Sequence, residues 1–225
     1  MAILDFVFPR KCLHCSKEGS YLCDRCVSNL REPLQVCPVC ERFSIKGKTH
    51  SRCISLSSLN GLLSVWPYRG IVRKALIALK YKFASEIANE VSDNLIKRLS
   101  KFSFIDLERP ILIPIPLHPL RKNWRGFNQT EIMGKIIAYR FNWRFEPAFL
   151  VRKIIITPQT GLGKIERKEN IKGVFGINPT RIFGSKYTTL ILFDDVWTTG
   201  STLKEAAAVI KEKYQNPVWG LTVAR

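Results

Sequence analysis

Four short metal-ligand pairs at the start of the chain constrain its fold more than any other feature. All seven cysteines lie within the first 53 residues, and they form three C-x-x-C pairs and a fourth pair closed by His50. Two ligands at this spacing lie on one turn and can share one tetrahedral metal ion. The predicted ligands, enough for two zinc ions, are Cys12, Cys15, Cys23, Cys26, Cys37, Cys40, His50 and Cys53.

The order of the pairs allows two arrangements of the metal ions. Either the first four ligands bind one ion and the last four the other, or the pairs alternate in a cross-braced arrangement. Closed four-ligand sites are typically structural, because no coordination position is left for a substrate. Reduced, partly free thiols are the alternative to zinc. We interpret residues 1–57 as a double zinc ribbon that needs its metal ions to fold.

The cysteines also indicate the compartment. An odd number of cysteines suits a disulfide framework poorly, and the first residues lack the basic segment of an export signal. Zinc is favoured over disulfides in a reducing compartment, so we expect a cytoplasmic protein. No apolar run approaches the roughly 18 residues that a membrane-spanning helix needs.

The balance of charge predicts a polyanionic partner. The 225 residues include 36 Lys and Arg against 18 Asp and Glu, a formal net charge of +18. Such an excess is typical of proteins that bind nucleic acid, phosphorylated ligands or an anionic membrane surface. Hydrophobic residues make up 46% of the chain, which excludes an intrinsically disordered protein.

Residues 58–225 form the second predicted domain, in which helical and strand patterns alternate. Apolar residues recur at helical spacing in four segments, and they form short continuous runs, typical of buried strands, in three. Strands buried on both faces and separated by helices are typical of parallel sheets, so we predict an α/β fold. The helical segments are 71–79, 87–99, 129–141 and 201–214, and the strand segments are 111–115, 188–193 and 218–223.

The densest group of polar residues follows the strand that begins near residue 188. Asp194 and Asp195 stand at its carboxyl end, where open parallel sheets bind ligands. A polar turn then opens a helix, whose free N–H groups suit a phosphate. Paired carboxylates beside a phosphate site suit a phosphorylated sugar. The alternative is that these residues only cap the turn and the helix. The turn residues are Thr198, Thr199, Gly200, Ser201 and Thr202.

This segment resembles the fingerprint for 5-phosphoribosyl 1-pyrophosphate (PRPP) in type I phosphoribosyltransferases, although Trp197 stands where an aliphatic residue is usual. Together with the cysteine-rich start, the chain is similar to the ComF family and its ComFC-like members, which are associated with DNA uptake in natural competence and with DNA utilisation. The resemblance implies a type I phosphoribosyltransferase-like parallel sheet flanked by helices and preceded by a small zinc-ribbon domain. Further blocks that carry it are 78–81, 113–119, 125–129 and 158–170.

The resemblance also implies roles within the site. Asp194 and Asp195 would contact the ribose hydroxyls and the turn would hold the 5-phosphate, while a strand-end loop and a mobile loop at 157–172 would hold pyrophosphate with Mg²⁺. For His118 the alternative is a packed histidine between prolines, for Arg125 a loop-stabilising role, and for 157–172 an ordinary surface loop. The further candidate ligand-binding residues are Leu117, His118, Arg125, Asn128, Gln129, Lys164 and Arg167.

A local excess of basic residues lies between Arg121 and Lys172. This stretch contains twelve Lys and Arg against four Glu, which gives +8. Within it, aromatic residues alternate with arginines over 139–145, a pattern typical of platforms on which single-stranded nucleic acid stacks. The alternative places the rings in the core and the arginines in solvent.

Two functions are consistent with these features. In the first, a ComF-family protein binds Mg-PRPP and handles single-stranded DNA during uptake, with a competence helicase or another part of the uptake machinery as a candidate partner. In the second, a PRPP-dependent pentosyltransferase passes phosphoribose to a nitrogen nucleophile, in nucleotide salvage or synthesis, and has no role with DNA. Two structural zinc ions and Mg²⁺ are the expected cofactors.

Overall fold

A five-stranded parallel sheet forms the centre of the fold. The computed structural model describes residues 9–79, 84–101, 107–153, 173–181 and 189–225. The strands in chain order are β1 (Gly61–Trp66), β2 (Ile111–Pro114), β3 (Arg144–Phe145), β4 (Leu150–Arg152), β5 (Phe175–Ile177), β6 (Leu190–Val196) and β7 (Val218–Ala224). The sheet has the order β1-β7-β6-β2-β3 with every neighbouring pair parallel, and β4 and β5 form a separate antiparallel hairpin.

One short helix, α1 (Asp24–Ser28), lies in the cysteine-rich segment. The helices that follow β1 in the chain are α2 (Gly70–Ala78), α3 (Ala84–Leu99), α4 (Pro119–Arg125), α5 (Gln129–Phe141) and α6 (Ser201–Lys211). Among the helices of the described ranges, none has the length and hydropathy needed to cross a bilayer.

Both faces of the sheet are buried, as the continuous apolar run of β6 shows. Ile191 and Phe193 belong to the core that α2, α3 and α5 build on one face. Leu190 and Leu192 belong to the core that α6 and the β4–β5 hairpin build on the other face. All four side chains are at most 2% exposed. Such a run is what a central strand of a parallel sheet requires.

The predicted α/β class with a parallel sheet and flanking helices is confirmed, and the strand segments correspond to β2, β6 and β7. The sequence prediction misses β1, whose apolar run is interrupted by Ser64. The Ser64 hydroxyl lies 2.8 Å from the Thr222 hydroxyl of β7, so this polar group is satisfied within the sheet. The prediction also misses α4, β3 and the β4–β5 hairpin.

The cysteine-rich segment docks on the sheet domain through backbone groups. Leu22 N donates to Glu90 of α3 at 2.8 Å. Further along the chain, the Gln35 side chain exchanges two hydrogen bonds with the backbone of Ser64 in β1, at 3.0 and 3.1 Å. The two halves of the segment thus contact different elements of the sheet domain. The domain boundary near residue 57 remains a prediction.

Candidate functional site

Two four-ligand clusters lie in the cysteine-rich segment, in the sequential one of the two predicted arrangements. Within each cluster all ligand atoms lie within 4.8 Å of one another. Each donor set fits one tetrahedral zinc ion, for which sulfur and imidazole nitrogen are the usual ligands. The clusters are Cys12, Cys15, Cys23 and Cys26, and Cys37, Cys40, His50 and Cys53.

Two turns of the same geometry present the first ligand pair of each cluster. Ser16 N donates to Cys12 O and Glu41 N donates to Cys37 O, both at 2.9 Å. Ser16 and Glu41 have φ angles of 61° and 59°, in the left-handed region. This conformation turns the chain back directly after the second cysteine of each pair. The two sulfur atoms of a pair can therefore approach one ion.

The turns also favour the thiolate form that zinc binds. Burial by itself raises the pKa of Cys12, but backbone N–H groups, that of Cys15 foremost, outweigh burial and lower the pKa to about 6. In the same way, N–H groups led by that of Cys40 overcome burial and lower the pKa of Cys37 to about 7. The backbone N–H groups thus favour the thiolate form of one ligand in each cluster.

His50 is oriented as a ligand by the backbone. Its Nδ1 lies 3.3 Å from Cys40 Sγ, and its Nε2 lies 3.1 Å from Phe43 O. A carbonyl oxygen can only accept a hydrogen bond, so we assign the ring proton to Nε2. The lone pair of Nδ1 then faces the second cluster, an arrangement common for zinc-bound histidines.

A cavity of about 440 Å³ opens at the carboxyl edge of the parallel sheet. This volume lies within the roughly 300–1,000 Å³ typical of small-molecule sites. The ends of β2 and β6, the starts of α5 and α6, and the β4–β5 hairpin contribute to its wall. The predicted site residues that line it are Leu117, Arg125, Asn128, Gln129, Asp194, Asp195, Thr198 and Thr202.

The two carboxylates at the end of β6 form the acidic part of the cavity. Asp195 N donates to Asp194 Oδ1 at 2.8 Å. Burial, and then the charge of Asp195, raise the pKa of Asp194 well above its ordinary value, while Arg152 opposes this shift. A carboxyl group perturbed by burial and by a like charge inside a cleft is typical of functional sites.

A hydrogen-bonded chain connects this acidic part with a basic side chain. Gln129 Nε2 donates to Asp195 Oδ2 at 3.2 Å, and Arg125 Nη1 lies 3.5 Å from Gln129 Oε1. The amide is suited to this place because it donates to the carboxylate and accepts from the guanidinium. Arg125 Nε is buried and has no hydrogen-bond partner within the described part of the chain.

Asn128 lines the cavity but directs its hydrogen bonds to the scaffold. Its side-chain oxygen accepts from Thr130 N at 3.2 Å and so caps α5. Its side-chain nitrogen donates to Ile115 O at 3.0 Å, next to the end of β2. Asn128 therefore fixes the start of α5, where Gln129 follows.

The predicted phosphate turn follows β6 and includes the first two residues of α6. Gly200 has a φ of 70°, and a Cβ atom there would lie 2.1 Å from the Trp197 ring, so both the backbone and the space require glycine. Thr198 and Thr202 line the cavity. The hydroxyls of Thr199 and Ser201 lie 2.7 Å apart and satisfy each other.

Some predicted site residues do not line the cavity, and some residues that line it were not predicted from the sequence. His118 is not among the residues that line the cavity, and Lys164 and Arg167 lie outside the described residues. Tyr68 and Arg152 line the wall without having been predicted. Tyr68 follows β1 at the carboxyl edge of the sheet, so recognition of β1 would have indicated it. Arg152 lies in the hairpin, for which the sequence carries no comparable signal.

The aromatic stretch 139–145 does not form a continuous platform. Tyr139 is 89% exposed, but the rings of Phe141 and Trp143 stack with centroids 4.9 Å apart and pack against the core. Phe145 packs there as well. Trp124 of α4, by contrast, is 73% exposed. The strongly exposed rings in this basic part of the chain therefore lie on two helices.

Comparison with curated proteins finds relatives that extend over most of the chain. Competence protein F of Haemophilus influenzae is 26% identical over 239 residues, 96% of this chain and 98% of that protein. Competence protein ComFC of Bacillus subtilis is 26% identical over 208 residues, 88% and 80% of the two chains. These relatives confirm the resemblance to the ComF family. DNA utilization protein YhgH of Salmonella typhimurium is also 26% identical, over 194 residues. No family model matches the chain.

Two solved structures overlap with part of this ComF-like chain. Adenine phosphoribosyltransferase of Leishmania tarentolae matches with a TM-score of 0.36 and 17% identity, over 60% of this chain and 56% of its own. The Leishmania donovani enzyme matches with a TM-score of 0.35 and 20% identity, over 61% and 52%. The chain thus spans just over half the length of each enzyme.

We expect the purified protein to contain two zinc ions per chain, because both clusters supply four suitable ligands. His50→Ala should lower the content to one, since the first cluster keeps all its ligands. Metal analysis by mass spectrometry measures this, with His14→Ala as control, because His14 is exposed and belongs to neither cluster. Fewer than two zinc ions in the unaltered chain, or an unchanged content in His50→Ala, would contradict the assignment.

We expect the raised pKa of Asp194 to make folding weaken as the pH rises. The folded protein keeps this proton to a higher pH than the unfolded chain, so stability is lost as pH rises through the folded-state pKa. Asp194→Asn should therefore raise the melting temperature at about pH 8 and change it little near pH 4. The melting temperatures of this variant and of the control Asp93→Asn, in which an exposed residue is changed, are measured at both pH values. Equal effects of Asp194→Asn at both pH values would contradict it.

Proposed function

We propose that this chain is a ComF-family protein whose phosphoribosyltransferase-like domain binds Mg-PRPP and which handles single-stranded DNA during DNA uptake. One observation supports PRPP as the ligand: paired carboxylates, guanidinium groups and a helix N-terminus line one cavity. PRPP is a ribose with two free hydroxyls, a 5-phosphate and a pyrophosphate. It needs acceptors at the sugar and donors on both sides of it.

Each part of the cavity suits one part of that ligand. Asp194 and Asp195 can accept hydrogen bonds from the ribose hydroxyls. The N-terminus of α6, with the hydroxyls of Thr198 and Thr202, offers donors and a positive dipole to the 5-phosphate. Arg125 lines the cavity, and its guanidinium group is suited to the pyrophosphate, since guanidinium groups bind such oxygens through two parallel hydrogen bonds.

The residues present also fit Mg²⁺. This ion prefers oxygen ligands and is usually held by one or two carboxylates together with substrate phosphates. The carboxylates of Asp194 and Asp195 at the cavity wall are such ligands, and bound Mg²⁺ would neutralise charge on the pyrophosphate. Gln129 holds the Asp195 carboxylate in place by its hydrogen bond.

Phosphoribosyl transfer is the second candidate, and the same two carboxylates favour it. In that reaction a nitrogen atom forms a bond to the anomeric carbon while the bond to pyrophosphate breaks. Positive charge then develops on the ribose, and fixed carboxylates stabilise it. Release of pyrophosphate from Mg-PRPP, measured with a panel of nitrogen nucleophiles, distinguishes transfer from binding alone.

Charge, exposed aromatic rings and the relatives support the role with DNA. The relatives are named as competence and DNA utilization proteins, and the net charge of +18 exceeds what one small ligand needs. Trp124 is 73% exposed and directly precedes Arg125, which lines the cavity. Aromatic rings among cations bind single strands by stacking on bases and by contacts to phosphate. The thiolate clusters suit a reducing compartment, and we place this activity in the cytoplasm.

The ligand is tested with the double variant Asp194→Asn, Asp195→Asn. We expect Mg-PRPP affinity, measured by calorimetry, to fall at least about tenfold, because charge-assisted hydrogen bonds to the ribose weaken. The matched control is Asp93→Asn on α3, which is exposed. Unchanged affinity in the double variant, or no binding by the unaltered protein, would refute the proposal.

The DNA role is tested with Trp124→Ala. We expect the affinity for a single-stranded oligonucleotide to fall about tenfold, since stacking of one base contributes on the order of 1–3 kcal/mol. The salt dependence of binding should stay the same, because the phosphate contacts remain. Phe43→Ala, which removes another exposed ring from the second cysteine-rich half, should bind normally. Loss of affinity in Phe43→Ala but not in Trp124→Ala would contradict the proposal that single-stranded DNA binds at Trp124.

A further inference from the structure

Lys204 occupies an unusual position for a cation. It lies in the first turn of α6, where the helix dipole disfavours positive charge. Its Nζ donates to Thr199 O at 3.2 Å and lies 5.2 Å from the centre of the Trp197 ring. Thr199 belongs to the phosphate turn, and Trp197 directly precedes it. Lys204 itself is not among the residues that line the cavity.

The Trp197 ring sets the shape of this turn. It fills the space in which a Cβ atom of residue 200 would lie. The ring is 3% exposed and belongs to the same core cluster as Leu203 of α6 and Val36 of the cysteine-rich segment. The core cluster that contains the Trp197 ring thus includes the residue directly before Cys37.

Glu41 connects the second cluster with Lys204. Glu41 Oε1 lies 3.5 Å from Lys204 Nζ. Glu41 directly follows the ligand Cys40, and its backbone N–H donates to Cys37 O at 2.9 Å. The backbone of Glu41 thus belongs to the turn that presents two ligands of the second cluster, and its half-exposed side chain reaches Lys204 from there.

We propose that Lys204 is a positioning residue for the phosphate turn, held by Glu41, so that the second four-ligand cluster supports ligand binding from outside the cavity. The inference rests on the proposed function, because the ligand in question is the phosphoribosyl group. Glu41 supplies the negative charge that keeps Lys204 folded back. Lys204 then fixes the Thr199 carbonyl and covers the Trp197 ring, which keeps the N–H groups of the turn aimed at the 5-phosphate.

The effect of Glu41→Gln separates this role from a direct attraction between Lys204 and the phosphate. If Lys204 acts through its own charge, removal of Glu41 leaves that charge in place and frees the side chain, so ligand affinity stays the same or rises. If Lys204 positions the turn, Glu41→Gln weakens binding as Lys204→Met does. The double variant should then be no weaker than Lys204→Met alone, because both changes break one chain of contacts.

The experiment measures binding of Mg-PRPP and of ribose 5-phosphate by calorimetry. We expect Lys204→Met and Glu41→Gln each to weaken both ligands about fivefold, the scale of a single partly exposed contact. The matched controls are Lys213→Met and Glu212→Gln, exposed residues at the other end of α6. Zinc content should remain two per chain in every variant. Unchanged or stronger binding by Glu41→Gln would overturn the proposal.

Hydrogen exchange of the backbone provides a readout that does not depend on the ligand. We expect faster amide exchange over residues 198–204 in Lys204→Met and Glu41→Gln, and none of this change in the two control variants. If the unaltered protein binds neither probe, the proposed ligand fails and the exchange measurement alone decides the role of Lys204. Unchanged exchange in this segment would overturn that role.

Discussion

The candidate site depends on the parallel pairing of β6 between β7 and β2. This pairing continues into the acidic residues, where Asp194 pairs with Thr222 and Val196 with Ala224. The carboxylates are therefore held by a sheet ladder rather than by a free loop. Both faces of β6 are packed with apolar side chains, and its side chains become partly exposed only from Asp194 onwards, at the carboxyl end. The acids, the phosphate turn and α6 follow there in immediate succession.

The cysteine-rich segment contributes more than a separate, self-contained module. Its second half lies against β1 through Gln35 and Ser64, and Val36 enters the core beneath α6. The second cluster lies in this segment, and the segment shares a core cluster with Trp197, which directly precedes the turn that we assign to the 5-phosphate. A structural metal can in this way affect a ligand that it does not touch.

Motifs with fixed spacing could be predicted from the sequence, whereas contacts across the fold could not. The metal ligands and the Asp194–Thr202 segment are local patterns, and the structure assembles the ligands into two clusters and places Asp194, Asp195, Thr198 and Thr202 around one cavity. β1 could not be recognised because the polar Ser64 interrupts its apolar run. The Ser64 hydroxyl can be buried there because it pairs with a residue 158 positions away. Arg152 and the Glu41–Lys204 pair likewise depend on tertiary contacts that no local spacing records.

The most direct test of the proposed ligand site is a crystal structure of the protein with Mg-PRPP. We expect the 5-phosphate at the N–H groups of 198–202, the ribose hydroxyls at Asp194 and Asp195, and the pyrophosphate within reach of Arg125. Such a structure would support binding in the orientation that the cavity predicts. A ligand bound elsewhere, or one with its pyrophosphate at the turn and its 5-phosphate at Arg125, would contradict it.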